Sequence, residues 1–284
     1  IPSLPIGIEK LGPAYCYREK LKDQYRMQIV IKSNKKYDPS GSKLQNLYKN
    51  TLKNAQEVIN KKILKSGKSG LEMTILDKFK LDGKTALVTG CNRGIGFGIA
   101  KALAEAGANI IGASSSLAEG SKIEQVVNDL KRQFYCYKCD FSKRENTLDF
   151  LKKLRSHNLA PEIFIGNAGT LERSNLSDHK DEYWDKVIEV NLTSQFVLAR
   201  ELSKEMVVKN YGKIIFTASV LSFQGGLFVP SYAASKGGVG QLTKALSNEL
   251  ADRGINVNAI APGYVETDIT TALREDPKRA SQLM

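Results

Sequence analysis

The sequence predicts a doubly wound α/β domain, a parallel sheet with helices on both faces, preceded by a small basic α+β segment. From residue 84 onward, short apolar runs alternate with longer stretches of helical period. Glycines punctuate the junctions, and 284 residues, 42% hydrophobic and 25% charged, suffice for a large core. The first strand is expected at 85–89 (T-A-L-V-T), followed by a helix at 95–106. Next come a strand at 109–113, a helix at 119–132, a strand at 133–138 and a helix at 143–157 with leucines at 148, 151 and 154. A strand at 163–166 precedes one long helical stretch at 181–210; strands at 213–217 and 256–260 flank a helix at 231–253. Strand, helix, strand in strict order demands parallel pairing, because only a crossover returns the chain to the same sheet edge.

This composition excludes a disordered or collagen-like chain. Its apolar runs fall short of the ~20 residues that cross a bilayer, and I-P-S-L-P-I-G-I-E-K lacks the basic-then-apolar order of a secretory leader. No membrane partner is expected, and a cytoplasmic location is. Cys16, Cys91, Cys136 and Cys139 are too few for a disulfide scaffold. The net charge of +12 is local: residues 1–72 hold 15 Lys or Arg against 6 Asp or Glu, and the remainder 27 against 24. Nucleic acid is therefore an expected partner of residues 1–72 alone. The linker-like K-S-G-K-S-G at 65–70 separates a first segment, 1–72, from a second, 73–284.

T-G-C-N-R-G-I-G at 89–96 directly follows the first strand and opens the first helix. Glycines at 90, 94 and 96 let the backbone turn sharply and approach a pyrophosphate, whose charge sits on the free N–H groups of a helix start. This is the Rossmann-like signature of dinucleotide binding, and it points to Thr89, Gly90, Asn92, Arg93, Gly94, Ile95 and Gly96. Ser114, ending the second strand where an acidic residue would select NAD, leans with Arg93 toward a 2′-phosphate.

Ser219, Tyr232, Lys236 and Asn191 form the second constellation. A chain of this composition holds about one Tyr-x-x-x-Lys by chance, so placement carries the weight. A spacing of four puts Tyr232 and Lys236 on one helix face, and Ser219 follows a strand at the carboxyl edge, where such sheets bind ligands. A nearby ammonium is expected to lower the tyrosine's pKa from its usual ~10 and fit it for proton transfer. Ser219 could hydrogen-bond a substrate oxygen, and Asn191 could hold a water that passes the proton on.

With N-A-G at 167–169, V-N-L around Asn191, Y-A-A-S-K at 232–236 and P-G-Y-V-E-T at 262–267, residues 73–284 resemble the short-chain dehydrogenase/reductase family. The resemblance implies hydride exchange between a nicotinamide cofactor and a carbonyl or alcohol. Tyr232 would be the acid–base and Lys236 the ribose contact. Asp140 would meet the adenine, and Asn167, Ala168, Gly169, Pro262, Gly263, Val265 and Thr267 would line the rest of the cofactor site. NAD(H) is expected by family, with NADP(H) the alternative. The stretches 217–232 and 256–267 are similar to the branch of 2-deoxy-D-gluconate 3-dehydrogenases and 2-keto-3-deoxygluconate oxidoreductases. That branch implies a small sugar-acid substrate, for which Arg173 and Gln224 are candidates, since a carboxylate wants a guanidinium.

The family's Asn-Asn-Ala-Gly is Gly166-Asn167-Ala168-Gly169 here, a change expected to loosen the fourth strand. The family also continues past this chain's Met284 with a helix, a final strand and a tail that shape its homotetramer. A missing last strand and an unpaired edge are therefore expected. Residues 8–14 and 17–33 are similar to the C-terminal domain of the primosomal replication-restart helicase, with a helix expected at 43–63. On that likeness the chain would join the tail of one gene product to the start of its neighbour, and a helicase-tail fragment is the alternative function. Cys136 and Cys139 have zinc-like spacing but point to opposite faces of a strand and lack a second pair, so no metal is expected. His157 and His179 are expected at the surface, and Trp184 in helix packing.

Overall fold

The structure is a computed structural model that describes residues 8–11, 30–33, 76–263 and 265. The chain divides into two units, 1–78 and 79–284. In the first, β1 (Ile8–Leu11) and β2 (Val30–Ser33) pair antiparallel, Ile8 opposite Ser33 and Leu11 opposite Val30. The helix expected at 43–63 and the linker at 65–70 lie outside the described residues.

The second unit follows a 3₁₀ turn at Leu76–Phe79 that straddles the division. Its strands are β3 (Thr85–Thr89), β4 (Asn109–Ser114), β5 (Phe134–Lys138), β6 (Ile163–Gly166), β7 (Gly212–Thr217) and β8 (Ile255–Ile260). The helices are α1 (Gly94–Glu105), α2 (Lys122–Asp129), α3 (Arg144–Ser156), α4 (Asp181–Ile188), α5 (Ser194–Lys209) and α6 (Pro230–Leu250). The sheet order is β5-β4-β3-β6-β7-β8, parallel throughout, with Thr85 opposite Asn109 and Ala86 opposite Ile163. The chain winds outward from β3 to β5, then returns to β6 and winds the other way. Connections therefore diverge between β3 and β6, which opens a crevice at their carboxyl ends.

Apolar side chains alternate between the faces because successive strand residues point opposite ways. Leu87, Ile111, Phe164, Ile214 and Phe216 pack under α3, α5 and α6, with the Phe164 and Phe216 rings edge to face at 6.1 Å. Ala86, Val88, Ile110, Ile163 and Ile165 pack under α1 and α2. Cys136 lies against the second layer and buried Cys139 within the first, on opposite sides of the sheet. No helix among the described residues is long and apolar enough to cross a membrane, and they contain no group of three metal-ligating side chains.

Three elements depart from expectation. The helix at 119–132 contracts to α2, because Gly120 turns at φ +75° before it and Lys131 at φ +60° after it. The stretch 181–210 is interrupted by a π turn at Glu189–Thr193. β6 is not loosened by Gly166: the position is buried, and a Cβ there would meet Gln195 Oε1 and lie 2.7 Å from the Phe216 ring, so glycine is what the packing admits.

Candidate active site

The loop after β3 turns at Gly90, φ +68°, and enters α1 at Gly94, φ +56°, conformations that glycine adopts without strain. A Cβ at Gly96 would strike the Gly90 carbonyl and Asn167 Nδ2, so α1 packs against its own loop at van der Waals limit. No side chain caps the start of α1 and its first turn holds no acid, which leaves its N–H groups for an anion. Asn92 Nδ2 donates to Ser116 O and Oγ, both at 3.3 Å, and ties the loop to the segment after β4. This cradle, with glycine at 90, 94 and 96 and the open N–H groups of a helix start, fits the pyrophosphate of a dinucleotide. Ser114 ends β4 and exposed Arg93 precedes α1, both at the same edge.

Asn167 holds the cradle's floor. Its Nδ2 donates to Thr89 O at 3.1 Å and Gly90 O at 3.3 Å, and its Oδ1 accepts from Thr217 Oγ1 at 3.2 Å. Thr89 Oγ1 accepts the N–H groups of Asn167 and Ala168, each at 3.0 Å. Gly169 and Thr170 continue toward Asn191, whose π turn aims a buried amide inward. Asn191 Oδ1 accepts from Thr170 N–H at 2.8 Å, while Nδ2 donates to Thr170 O at 2.9 Å and Ser235 Oγ at 3.0 Å. Both amide hydrogens are thus spent within the protein, and the expected hold on a water falls to the remaining Oδ1 lone pair.

Ser219 follows β7 and caps the 3₁₀ turn Val220–Ser222, accepting from Leu221 N–H at 3.2 Å. Ser222 Oγ donates to Lys236 O at 2.6 Å and fixes α6 beside that turn. Tyr232 and Lys236 lie one helical turn apart, with Lys236 Nζ 5.6 Å from the phenol ring centroid. The ammonium donates to Thr217 O at 2.6 Å, and a Cβ at Gly169 would lie 3.8 Å from it. Burial brings the Lys236 amine down to about 8. The expected lowering of Tyr232 is not found: burial raises the phenol, and only its hydrogen bond to the Ser219 hydroxyl opposes this. The reason is directional, since Lys236 is turned to a backbone carbonyl rather than to the phenol oxygen.

Pro262, Gly263 and Val265 follow β8 at the same edge, Pro262 O accepting from Val220 N–H at 3.3 Å. Thr267 lies outside the described residues. Asp140, after β5, accepts from Ser142 N–H at 3.0 Å and Oγ at 2.7 Å, bonds that lower its carboxyl pKa. Arg173 and Gln224 are exposed on the loops that follow β6 and the Val220–Ser222 turn, Arg173 Nη1 reaching toward Leu227 O at 3.5 Å. Sequence reasoning missed Thr217 and Ser235, although Ser235 stands one turn from Tyr232 in Y-A-A-S-K. It also missed His179, which is half-buried rather than at the surface and bonded at both ring nitrogens. His157 is exposed, as expected, with Nδ1 2.6 Å from Tyr137 Oη.

A glycine cradle that opens beside a half-buried tyrosine and a buried lysine one helical turn apart is the layout of a dehydrogenase. The chain belongs to the short chain dehydrogenase family, whose model matches residues 84–278. It is 58% identical over 211 residues to the 2-dehydro-3-deoxy-D-gluconate 5-dehydrogenase of Pseudoalteromonas atlantica, covering 74% of this chain and 83% of that one. It is 48% identical over 210 residues to the Bacillus subtilis protein of the same name, covering 73% and 81%. Among solved structures, the gluconate 5-dehydrogenase of Burkholderia cenocepacia J2315, in complex with NADP and tartrate, superimposes with a TM-score of 0.68 at 32% identity, over 74% of this chain and 82% of that one. The family and sugar-acid likeness read from the motifs agrees with these relatives.

Proposed function

We propose that this chain is an NAD(P)-dependent oxidoreductase that interconverts a hydroxyl and a keto group on a sugar acid such as 2-deoxy-D-gluconate or 2-dehydro-3-deoxy-D-gluconate. The observation that carries the reading is the convergence of Ser219, Tyr232, Lys236 and Asn191 on the carboxyl edge beside the glycine cradle, in a chain 58% identical to a relative named for such a substrate. The bound nicotinamide cofactor supplies the ring that gives or takes hydride. Gly90, Gly94, Ile95 and Gly96 would receive its pyrophosphate, Asn92 and Arg93 would flank it, and Lys236 would reach its ribose with the donors left after Thr217. In reduction, Tyr232 gives its phenolic proton to the substrate oxygen as the carbonyl carbon receives hydride; in oxidation the phenolate takes that proton back. Ser219 hydrogen-bonds the same oxygen and, through its bond to the phenol, fixes where the proton is passed.

Two finer features belong to the same proposal. The enzyme works in the cytoplasm as a homotetramer, the assembly being supported by half-exposed Trp184 on α4 and Phe196 on α5, apolar surface suited to a helix-on-helix contact. NADP(H) is accepted at least as well as NAD(H), because Ser114 replaces a repelling acid. The test is direct: purified chain is mixed with each cofactor and each sugar acid, and reduced nicotinamide is followed by absorbance. Turnover of a sugar acid is the expected result. Turnover confined to acyl thioesters would refute the substrate class and leave the family intact.

A further inference from the structure

We propose that His179 is a positioning residue whose imidazole straps the segment after β6 to the first turn of α6, holding Tyr232 and the 223–229 loop that leads into that helix in place. The inference rests on the dehydrogenase reading above. His179 Nδ1 lies 2.8 Å from Ser174 Oγ and Nε2 lies 3.0 Å from Ser231 Oγ, so one rigid ring joins hydroxyls 57 positions apart in sequence. Either tautomer serves, because each serine hydroxyl donates or accepts. Tyr183 packs edge-on against the ring at 5.9 Å and limits its rotation.

Ser231 is fully buried and immediately precedes Tyr232. It is the second residue of α6, a helix whose start carries no side-chain cap at Val229. The first turn is therefore anchored from outside, and His179 is that anchor. On the other side of the ring, Ser174 N–H donates to Phe228 O at 3.0 Å. Phe228 holds a left-handed backbone at φ +63°, which a bulky side chain adopts only under external restraint. The strap thus supplies two restraints, at Phe228 and at Ser231, close to the C-terminal end of the segment that runs from the Ser219 turn to Tyr232, where candidate Gln224 also lies.

The test uses the full chain with His179→Ala, His179→Gln, Ser231→Ala and the His179→Ala/Ser231→Ala pair, read by amide hydrogen exchange and steady-state kinetics. In His179→Ala, exchange over 223–236 is expected to quicken about tenfold while 85–96 is unchanged, as for loss of one buried hydrogen-bonded anchor. The kcat is expected to fall and the sugar-acid KM to rise, together about tenfold or more, with the cofactor KM unmoved. His179→Gln, whose amide reaches Ser231, is expected to restore most of the loss. The double variant is expected to be no worse than His179→Ala alone, because both changes cut one connection. A loss of active fraction alone would scale kcat and leave KM untouched, and that result would overturn the proposal. Unchanged exchange at 223–236, no rescue by glutamine, or strictly additive losses would overturn it as well. Should the unaltered chain turn over no sugar acid, the functional reading falls, while the exchange arm still decides the strap.

Discussion

Replacing Lys236 with methionine is expected to inactivate the enzyme and yet relieve its fold of a burden that can be read from its pH dependence. The amine is wholly buried, and burial brings it from 10.5 to about 8. A folded value below the unfolded one means that the unfolded chain binds more protons between them, so stability rises with pH across that window. At 1.36 kcal/mol per pKa unit, the depressed pKa costs about 3 kcal/mol at pH 7, where the ammonium is held inside, and about 1 kcal/mol at pH 10, where the amine must give up its proton to fold. Methionine has similar length and no charge, but it forfeits the bond to Thr217 O, worth about 1.5–3 kcal/mol for a charged donor. At pH 7 the two effects nearly cancel, and the melting temperatures are expected to lie within about 5 °C. At pH 10 the buried amine is neutral and the burden of its depressed pKa has shrunk by about 2 kcal/mol, a gain Lys236→Met cannot share, so the variant falls behind the unaltered protein by about that much more, roughly 4–8 °C. Thermal unfolding of the cofactor-free proteins from pH 7 to 10 checks this, the other titrating groups cancelling in the difference. A difference that stays constant across that range would refute the assignment of a strongly depressed amine.

Tyr232→Phe is expected to reduce turnover by ~10²–10⁴ while cofactor titration is unchanged, because only the proton carrier is lost. Since burial raises the phenol, the unaltered enzyme's oxidation rate is expected to climb with pH through the alkaline range and its reduction rate to decline there. A pH-independent oxidation rate would contradict the phenolate's role. Gly96→Ala places a methyl against the Gly90 carbonyl and Asn167 Nδ2, so cofactor affinity is expected to fall at least about tenfold, measured by fluorescence titration, with a lower melting temperature.

Strands were legible because buried parallel strands read as short apolar runs, and 85–89 and 163–166 coincide with β3 and β6. The glycine loop and Tyr-x-x-x-Lys were legible because their spacing is local. The π turn at Glu189–Thr193 was not, because its residues keep a helical pattern and only a single extra residue in the turn marks it. Gly166 misled because its partner, Gln195, approaches from α5 and fills the space a side chain would have taken. His179 misled for a similar reason: an isolated histidine gives no sign of two serines that only the folded loops bring to it.

The contacts that run from Gly90 O through the Asn167 amide to Thr217, whose carbonyl receives Lys236, connect the cradle to the buried amine. Whatever free energy an occupant of the cradle exchanges with the proton on Lys236, the proton exchanges with that occupant in equal measure, because linkage is reciprocal. To the extent that an occupant of the cradle shifts that proton, cofactor affinity is expected to carry a slope in pH, and the first partner to bind then prepares the charge state that the chemical step inherits.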